Sequence, residues 1–135
     1  MKRILVIEDD EGLRSMLRMS LEKMGYAVTE ARDGKEAITV FKNDPVDLVL
    51  TDLMMPEKEG LETIRELRRG NPELKIIAMS GGGRTDARDN LKMAKLFGAT
   101  TAFSKPFSFA DLCKAVSELL AVPVPDHSDP VFRPE

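Results

Sequence analysis

The residues of this chain that are best suited to chemistry are polar side chains that directly follow apolar runs. Glu8 and Asp9 come after the first such run, and Asp52 ends another. Ser80 and Lys105 hold the same kind of position further along the chain. Carboxylates, a hydroxyl and an ammonium can bind a metal ion and stabilise charge on a reacting group. What they can do together depends on whether the fold brings them close.

Three carboxylates that lie within a few ångströms of one another repel strongly. Two unit charges about 4 Å apart cost roughly 4 kcal/mol at an intermediate effective dielectric, so such a cluster needs a cation. Hard oxygen ligands with open coordination positions suit Mg²⁺, which keeps several waters and favours one or two carboxylates together with a phosphate. Lys105 would balance further negative charge, and the Ser80 hydroxyl could donate a hydrogen bond to an oxygen that is present only after reaction.

Such a site could accept a phosphoryl group on Asp52, because a carboxylate can act as the nucleophile and form an aspartyl-phosphate. The metal ion and Lys105 would offset charge on the transferring group, and phosphoryl transfer needs mainly positioning and electrostatics. The product is an acyl phosphate, which is labile to water and so suits a transient signal. Each residue taken alone is more often a turn residue, a helix cap or a solvated charge. Their joint occurrence at strand ends favours the functional interpretation.

The elements that must hold these residues follow from the hydrophobic pattern. Strongly apolar runs predict three strands that are covered on both faces, at about residues 4–7, 48–52 and 76–79. More polar strands are predicted at 27–31 and 100–104. Apolar residues at helical spacing predict five helices between and after the strands.

Strands that alternate with helices predict an α/β fold, with a parallel sheet wrapped by helices. Because central strands are covered on both faces, the three apolar strands belong in the middle. The predicted fold is a doubly wound five-stranded parallel sheet of order 2-1-3-4-5, the flavodoxin-like (βα)5 arrangement. All five strands then end at one edge, where Glu8, Asp9 and Asp52 are expected to line the crevice between strands one and three.

Two of the predicted helices and one pair of arginines have definite places in the sequence. The fourth helix is expected at about residues 86–97. The fifth begins at Ser108, which together with Asp111 resembles a capping box. Arg68 and Arg69, at the end of the third helix, are predicted to be solvated.

Length and composition limit the kind of protein this can be. The chain has 135 residues, 42% apolar and 32% charged, which suits one domain with a single core. A net charge of −3 offers no basic surface for nucleic acid, and no apolar run is long enough to cross a bilayer. With no signal-peptide pattern and one cysteine, Cys113, we expect a cytoplasmic protein. Residues 1–121 are predicted to form the domain, and the proline-rich residues 122–135 a disordered tail.

Several stretches of the chain carry a more specific signal when they are taken in order. They are Ile4-Leu5-Val6-Ile7-Glu8-Asp9-Asp10, Leu48-Val49-Leu50-Thr51-Asp52-Leu53-Met54-Met55-Pro56, Gly60, Met79-Ser80-Gly81, Gly98-Ala99 and Lys105-Pro106-Phe107. Together they resemble the receiver domains of two-component response regulators, over about residues 2–121. The chemotaxis receiver of this family has the strand order given above. The resemblance implies a phosphoacceptor that signals through changed protein contacts, and we expect a stand-alone receiver.

The resemblance implies a role for each residue of the metal site. Asp52 would be the phosphoacceptor and a metal ligand. Asp9 would bind Mg²⁺ directly, and Glu8 would help to bind it through water. The main-chain carbonyl of Met54 would be a further metal ligand.

The resemblance also implies the remaining roles and the partners. Lys105 would contact the phosphoryl group, with a cis bond to Pro106, and Ser80 would be the switch hydroxyl. The donor would be a phosphohistidine on a sensor histidine kinase or a histidine phosphotransfer protein. The output would pass to a downstream protein target, with neither nucleic acid nor membrane as a partner. The domain would catalyse its own phosphorylation and slow dephosphorylation, and would not otherwise be an enzyme.

Two departures from the family pattern concern switching. The usual aromatic residue three positions before the lysine is replaced by Ala102, and its neighbour Phe103 could take over only if the fifth strand were out of register. The segment from Gly81 to Asp86 looks longer than usual and begins with three glycines in a row. We therefore expect phosphorylation to reorganise residues 80–98.

Three other functions stay open. A phosphorelay intermediate or phosphate sink would need the chemistry but not the switch, and Ala102 at the aromatic position favours it mildly. A small phosphohydrolase would use Asp52 as its nucleophile but needs a second acid two residues on, where Met54 stands. A remnant of the fold that only binds is disfavoured by the intact acidic set.

Overall fold

The computed structural model describes residues 1–52, 57–80, 92, 95–96, 98–104 and 108–121, with the main chain alone for 57–59, 80 and 104. Its five strands are β1 (Arg3–Ile7), β2 (Ala27–Ala31), β3 (Leu48–Asp52), β4 (Lys75–Ser80) and β5 (Thr101–Ser104). Its helices are α1 (Glu11–Lys23), α2 (Gly34–Asn43), α3 (Glu57–Gly70) and α4 (Phe109–Leu120). Within these residues, no helix combines the length and the apolar character that crossing a bilayer requires.

The loop at 81–86 and two further predicted segments fall wholly or largely outside the described residues. One is the tail, 122–135, so the domain boundary stays a prediction. The other is the predicted fourth helix, 86–97, of which only residues 92, 95 and 96 are described; these are helical. The helix predicted as the fifth is therefore α4.

All strand pairs in the sheet are parallel, and the strand order is β2-β1-β3-β4-β5. The predicted α/β fold and its order 2-1-3-4-5 are confirmed. Burial explains the order, since every residue of β3 is buried, whereas four of the five residues of β2 are half-buried. A strand that is covered on both faces lies in the middle of a sheet, and a more polar strand lies at its edge.

Helices cover both faces of the sheet. Alternate residues of each strand point to opposite sides, so each strand contributes to two cores. On one face, Leu17 and Leu21 of α1 and Val116 of α4 pack against buried strand residues. On the other face, Ile64 and Leu67 of α3 do the same, together with α2. Burying one such aliphatic side chain contributes about 1.5–3 kcal/mol. The two cores fix where each strand ends, and therefore where the polar residues after the strands lie.

Three helices begin at a residue whose side chain caps the first turn. The Leu13 amide of α1 donates to Asp10 Oδ1 at 3.0 Å, and Asp33 caps α2 in the same way. The Asp111 amide of α4 donates to Ser108 Oγ at 2.9 Å, which confirms the predicted start of that helix. Each cap contributes about 1 kcal/mol. The first two caps keep the turns after β1 and β2 short.

At the amino edge of the sheet, Arg68 of α3 binds main-chain carbonyls. Its guanidinium donates to the oxygen of Gly98 at 2.6 Å, to that of Pro72 at 2.9 Å, and to that of Leu74. Partial burial of the guanidinium lowers the pKa of Arg68 below its ordinary value. The prediction that Arg68 is solvated is therefore wrong, whereas Arg69 is exposed as predicted.

Ala102 and Phe103 lie on opposite faces of the sheet. In the register of β4 and β5, Ala102 pairs with Ala78 and Phe103 pairs with Met79. Ala102 packs against the core on the side of α2 and α3, and Phe103 packs against the core on the side of α1 and α4. Phe103 therefore does not take the place of the missing aromatic residue.

Candidate functional site

The carboxyl edge of the sheet brings the three predicted acids together. Strands β1 and β3 are parallel neighbours, with Ile7 beside Thr51. Glu8 follows β1 directly, and Asp52 is the last residue of β3. One carboxylate oxygen from each of Glu8, Asp9 and Asp52 lies within 4.8 Å of the other two. The expected convergence of the acids is therefore present in the structure.

The three carboxylates differ in their access to solvent. Glu8 and Asp52 are each 1% exposed, whereas Asp9 is exposed. Buried carboxylates are costly unless they are hydrogen-bonded, paired or bound to a metal ion. A cation shared by the cluster would offset the mutual repulsion of all three charges at once.

The donor set at this edge fits a magnesium ion. It consists of carboxylate oxygens alone, without a thiolate or an imidazole among the described residues of the cluster. Mg²⁺ prefers such hard ligands and keeps part of its water shell. The exposed side of Asp9 leaves access for that water. Glu8, Asp9 and Asp52 could therefore hold the ion.

The turn that carries two of the acids is held by several hydrogen bonds. The Glu8 amide donates to the Ala31 carbonyl at 3.0 Å, and the Asp10 amide donates to Glu8 Oε2 at 3.0 Å. Arg14 Nη1, from α1, donates to the Glu8 carbonyl at 2.9 Å. Sequence reasoning missed Arg14. The available signal was its place four residues after the Asp10 cap, because helix side chains lean back toward the N-terminus of the helix.

The remaining predicted site residues are described only in part. Ser80 is the last residue of β4, which neighbours β3, so its main chain lies at the same edge as the acids. Its side chain lies outside the described part of the chain. Met54, Lys105 and the bond from Lys105 to Pro106 also lie outside it. The roles predicted for these residues therefore stay predictions.

Comparison with known sequences gives a consistent family. The chain matches the response regulator receiver domain over residues 4–117. Response regulator MprA of Mycolicibacterium vanbaalenii is 39% identical over 127 residues, which cover 92% of this chain and 52% of that protein. The response regulator receiver protein CpdR of Brucella abortus is 35% identical over 120 residues, which cover 89% of this chain and 98% of that protein. The chain thus spans about half the length of MprA.

Solved structures of similar fold agree with this family. The Thermotoga maritima response regulator TrrA, in complex with Mg²⁺-BeF, is 34% identical with a TM-score of 0.76, covering 89% of this chain and 100% of that chain. The Francisella response regulator 1452 receiver domain is 28% identical with a TM-score of 0.77, covering 88% of this chain and 96% of that chain. The strand order, the acidic cluster and these similarities confirm the resemblance found in the sequence. The chain belongs to the response regulator receiver domain family of two-component systems.

Proposed function

We propose that this receiver takes a phosphoryl group from a phosphohistidine onto Asp52, with Mg²⁺, and signals through changed protein contacts. The observation that carries the proposal is the acidic cluster, in which Asp52 ends the central strand beside Glu8 and Asp9. The strand that positions Asp52 is buried along its whole length. A carboxylate on such a rigid support is presented in one geometry, which favours reaction.

In the proposed reaction, a carboxylate oxygen of Asp52 attacks the phosphorus atom of the donor. The P–N bond breaks, its electron pair stays on the imidazole nitrogen, that nitrogen takes up a proton, and an acyl phosphate forms. Bound Mg²⁺ would supply positive charge to the phosphoryl oxygens. Asp9 would hold it directly and Glu8 through water, and the Met54 carbonyl would be a further ligand.

Two further residues complete the proposed site. Lys105 would contact the phosphoryl group and balance its charge. Ser80 would donate its hydroxyl hydrogen to a phosphoryl oxygen that is present only after transfer. The similarity to TrrA supports a site of this kind, because the structure of that protein contains Mg²⁺-BeF.

Phosphorylation by acetyl phosphate in the presence of Mg²⁺, followed by intact mass measurement, tests the proposal. The wild type is expected to gain one phosphoryl group, and Asp52→Asn is expected to gain none. Asp47→Asn is the matched control, because Asp47 lies at the opposite edge of the sheet, where it accepts a hydrogen bond from the Arg3 amide. An unmodified wild type, or a phosphorylated Asp52→Asn, would contradict the proposal.

We also propose the domain organisation and the partners. Residues 1–121 would form the receiver and 122–135 a proline-rich tail, in a cytoplasmic protein. The phosphate donor would be a sensor histidine kinase or a histidine phosphotransfer protein, and the recipient of the signal would be a downstream protein. That the receiver stands alone stays a prediction.

A phosphorelay intermediate or phosphate sink is the second candidate, and one observation favours it. Ala102 packs against the core where the family usually has an aromatic residue, and Phe103 lies on the opposite face. A protein that only passes on the phosphoryl group needs no aromatic switch. Return of labelled phosphate from Asp52 to a phosphotransfer protein would support the relay. Retention of the label, with a phosphorylation-dependent protein contact, would support the leading proposal.

If the receiver does switch, we propose that phosphorylation reorganises residues 80–98, because Ala102 provides no aromatic side chain to rotate. Amide hydrogen exchange with Mg²⁺ and beryllofluoride, compared with Mg²⁺ alone, is expected to change in this segment. The edge strand β2 serves as the internal control and should change less. Unchanged exchange at 80–98 in a protein that binds beryllofluoride would contradict this part of the proposal.

A further inference from the structure

Arg14 joins the acidic turn to the neighbouring edge strand. Its side chain is 11% exposed. Its Nη1 donates to the Glu8 carbonyl at 2.9 Å, and its Nε donates to Glu30 Oε1 at 2.8 Å. Glu30 lies on β2, one residue before the strand ends. One guanidinium therefore spans from the end of β2 to the peptide that links Glu8 to Asp9.

The contact with Glu30 gives Arg14 a fixed direction. Hydrogen bonds between ionised groups are shorter and stronger than neutral ones, and this pair is mostly shielded from solvent, with Glu30 30% exposed. Arg18 lies on the other side of the same carboxylate, with its Nε 3.3 Å from Glu30 Oε2. Arg18 is more exposed, at 42%, and no contact with Glu8 is described for it.

The main chain of Glu8 is thereby held through the peptide groups on both sides of its Cα atom. Its N–H donates to the Ala31 carbonyl, and its C=O accepts from Arg14. The first bond joins Glu8 to the last residue of β2, and the second joins it to Arg14, whose side chain is bound by Glu30 of the same strand. The carboxylates of Glu8 and Asp9 extend from either side of this short segment, so its orientation sets where both groups point.

We propose that Arg14 is a positioning residue for the metal site, and this inference rests on the proposed function. Together with Glu30, it holds the Glu8–Asp9 peptide so that both carboxylates face the position of the ion. Mg²⁺ demands near-ideal octahedral geometry, and groups that orient its ligands affect its affinity strongly. Arg14 is positively charged, so its charge alone would weaken the binding of a cation. Positioning and charge thus predict opposite effects when the residue is changed.

A substitution that keeps the charge isolates the geometric effect. In Arg14→Lys the ammonium cannot reproduce the planar pair of contacts to Glu8 and Glu30. We expect Mg²⁺ affinity to fall about 10-fold, measured from amide chemical shifts of residues 8–10 and 52 during titration with the metal alone. Arg18→Lys is the matched control, because it alters the same ion network one helical turn away. Its affinity should stay within about twofold of the wild type.

A second measurement needs no metal. In the metal-free protein, amide exchange at Asp9 and Asp10 should be faster in Arg14→Lys than in Arg18→Lys, while the β3 amides exchange equally in both. If Arg14→Lys does not fold, Glu30→Gln replaces it, because it weakens the anchor of Arg14 and leaves an acceptor. Loss of a negative charge would itself weaken cation binding, so the readout for this variant is the metal-free amide exchange at Asp9 and Asp10, which should be faster than in the wild type.

The outcomes separate this inference from the proposed function. Unchanged affinity in Arg14→Lys, or an equal loss in Arg14→Lys and Arg18→Lys, would overturn the positioning role while the metal site stands. For Glu30→Gln, wild-type amide exchange at Asp9 and Asp10 in the metal-free protein would overturn it likewise. A wild type that binds no Mg²⁺ would overturn the proposed function itself, and the inference with it.

Discussion

The two edges of the sheet differ in how their charged side chains are paired. At the carboxyl edge, the carboxylates of Glu8, Asp9 and Asp52 lie within 4.8 Å of one another. At the amino edge, Arg68 is bound by carbonyl oxygens, among them that of Gly98. Like charges placed together weaken a fold, whereas a guanidinium that hydrogen-bonds main-chain carbonyls strengthens it. The contacts of Arg68 thus favour stability at the amino edge, whereas the function proposed for the carboxyl edge comes at a cost in stability.

The largest effect on stability is expected from Arg68→Met. The change removes hydrogen bonds to the carbonyls of Gly98, Pro72 and Leu74. Each carbonyl left unsatisfied costs about 1–3 kcal/mol where water cannot reach it. We therefore expect the free energy of unfolding, measured in urea, to fall by about 3 kcal/mol. Phosphorylation by acetyl phosphate should persist, because the substitution is at the far edge of the sheet.

The exposed neighbour provides the control for that measurement. Arg69→Met changes the same charge at the next position of α3 and should alter the free energy of unfolding by less than about 0.5 kcal/mol. Equal losses in the two variants would mean that the carbonyl contacts of Arg68 do not stabilise the amino edge. The contrast between the edges would then lose half of its support.

A smaller loss is expected from Gly98→Ala. Gly98 has a φ of +125°, which an L-residue rarely adopts, so the substitution should cost about 1–2 kcal/mol in free energy of unfolding. An added Cβ would lie 3.4 Å from the Arg68 side chain, and at Gly70 it would lie 3.4 Å from Phe41, so the two positions differ in backbone conformation and not in space. Gly70→Ala is the control, because Gly70 is helical and alanine is the better helix former. Thermal unfolding that shows Gly98→Ala to be as stable as Gly70→Ala would contradict the assignment.

The smallest effect is expected at the other edge, and with the opposite sign. Asp9→Asn removes one of three repelling charges, so the metal-free protein should become more stable by about 1 kcal/mol. In excess Mg²⁺ the advantage should vanish or reverse, because the wild type gains stability from binding. Urea unfolding with and without the metal measures both. Asp47→Asn, at the amino edge, should show no such gain; a metal-free loss in Asp9→Asn would contradict the crowding argument.

The sheet and the acidic cluster could be predicted from the sequence. The run from Leu48 to Leu50 marks a strand that is covered on both faces, and Asp52 at its end must then lie at the carboxyl edge. The polar residues of β2 predict an edge position, which the strand order confirms. These inferences succeed because burial of whole strands leaves a signal in each residue of the run.

The contacts of Arg14 and Arg68 were not predicted, and for Arg14 the available signal was only its spacing from the Asp10 cap. Arg14 and Arg68 both bind main-chain carbonyls. For Arg68, the carbonyl of Gly98 lies 30 residues away in the chain. Main-chain carbonyls carry no residue type, so nothing in the sequence marks the partner. From the sequence, an arginine whose guanidinium is bound by the protein cannot be told from one whose guanidinium is solvated, because either can bury its aliphatic part. Only tertiary packing distinguishes the two cases.

The unequal burial of the three acids determines how a metal ion could reach the proposed site. Glu8 and Asp52 are closed off from the medium, and Asp9 alone of the three faces it. An ion at the proposed site would arrive and depart past Asp9, without any strand having to part from its neighbour. The proposed site could then fill and empty quickly when the free magnesium concentration changes.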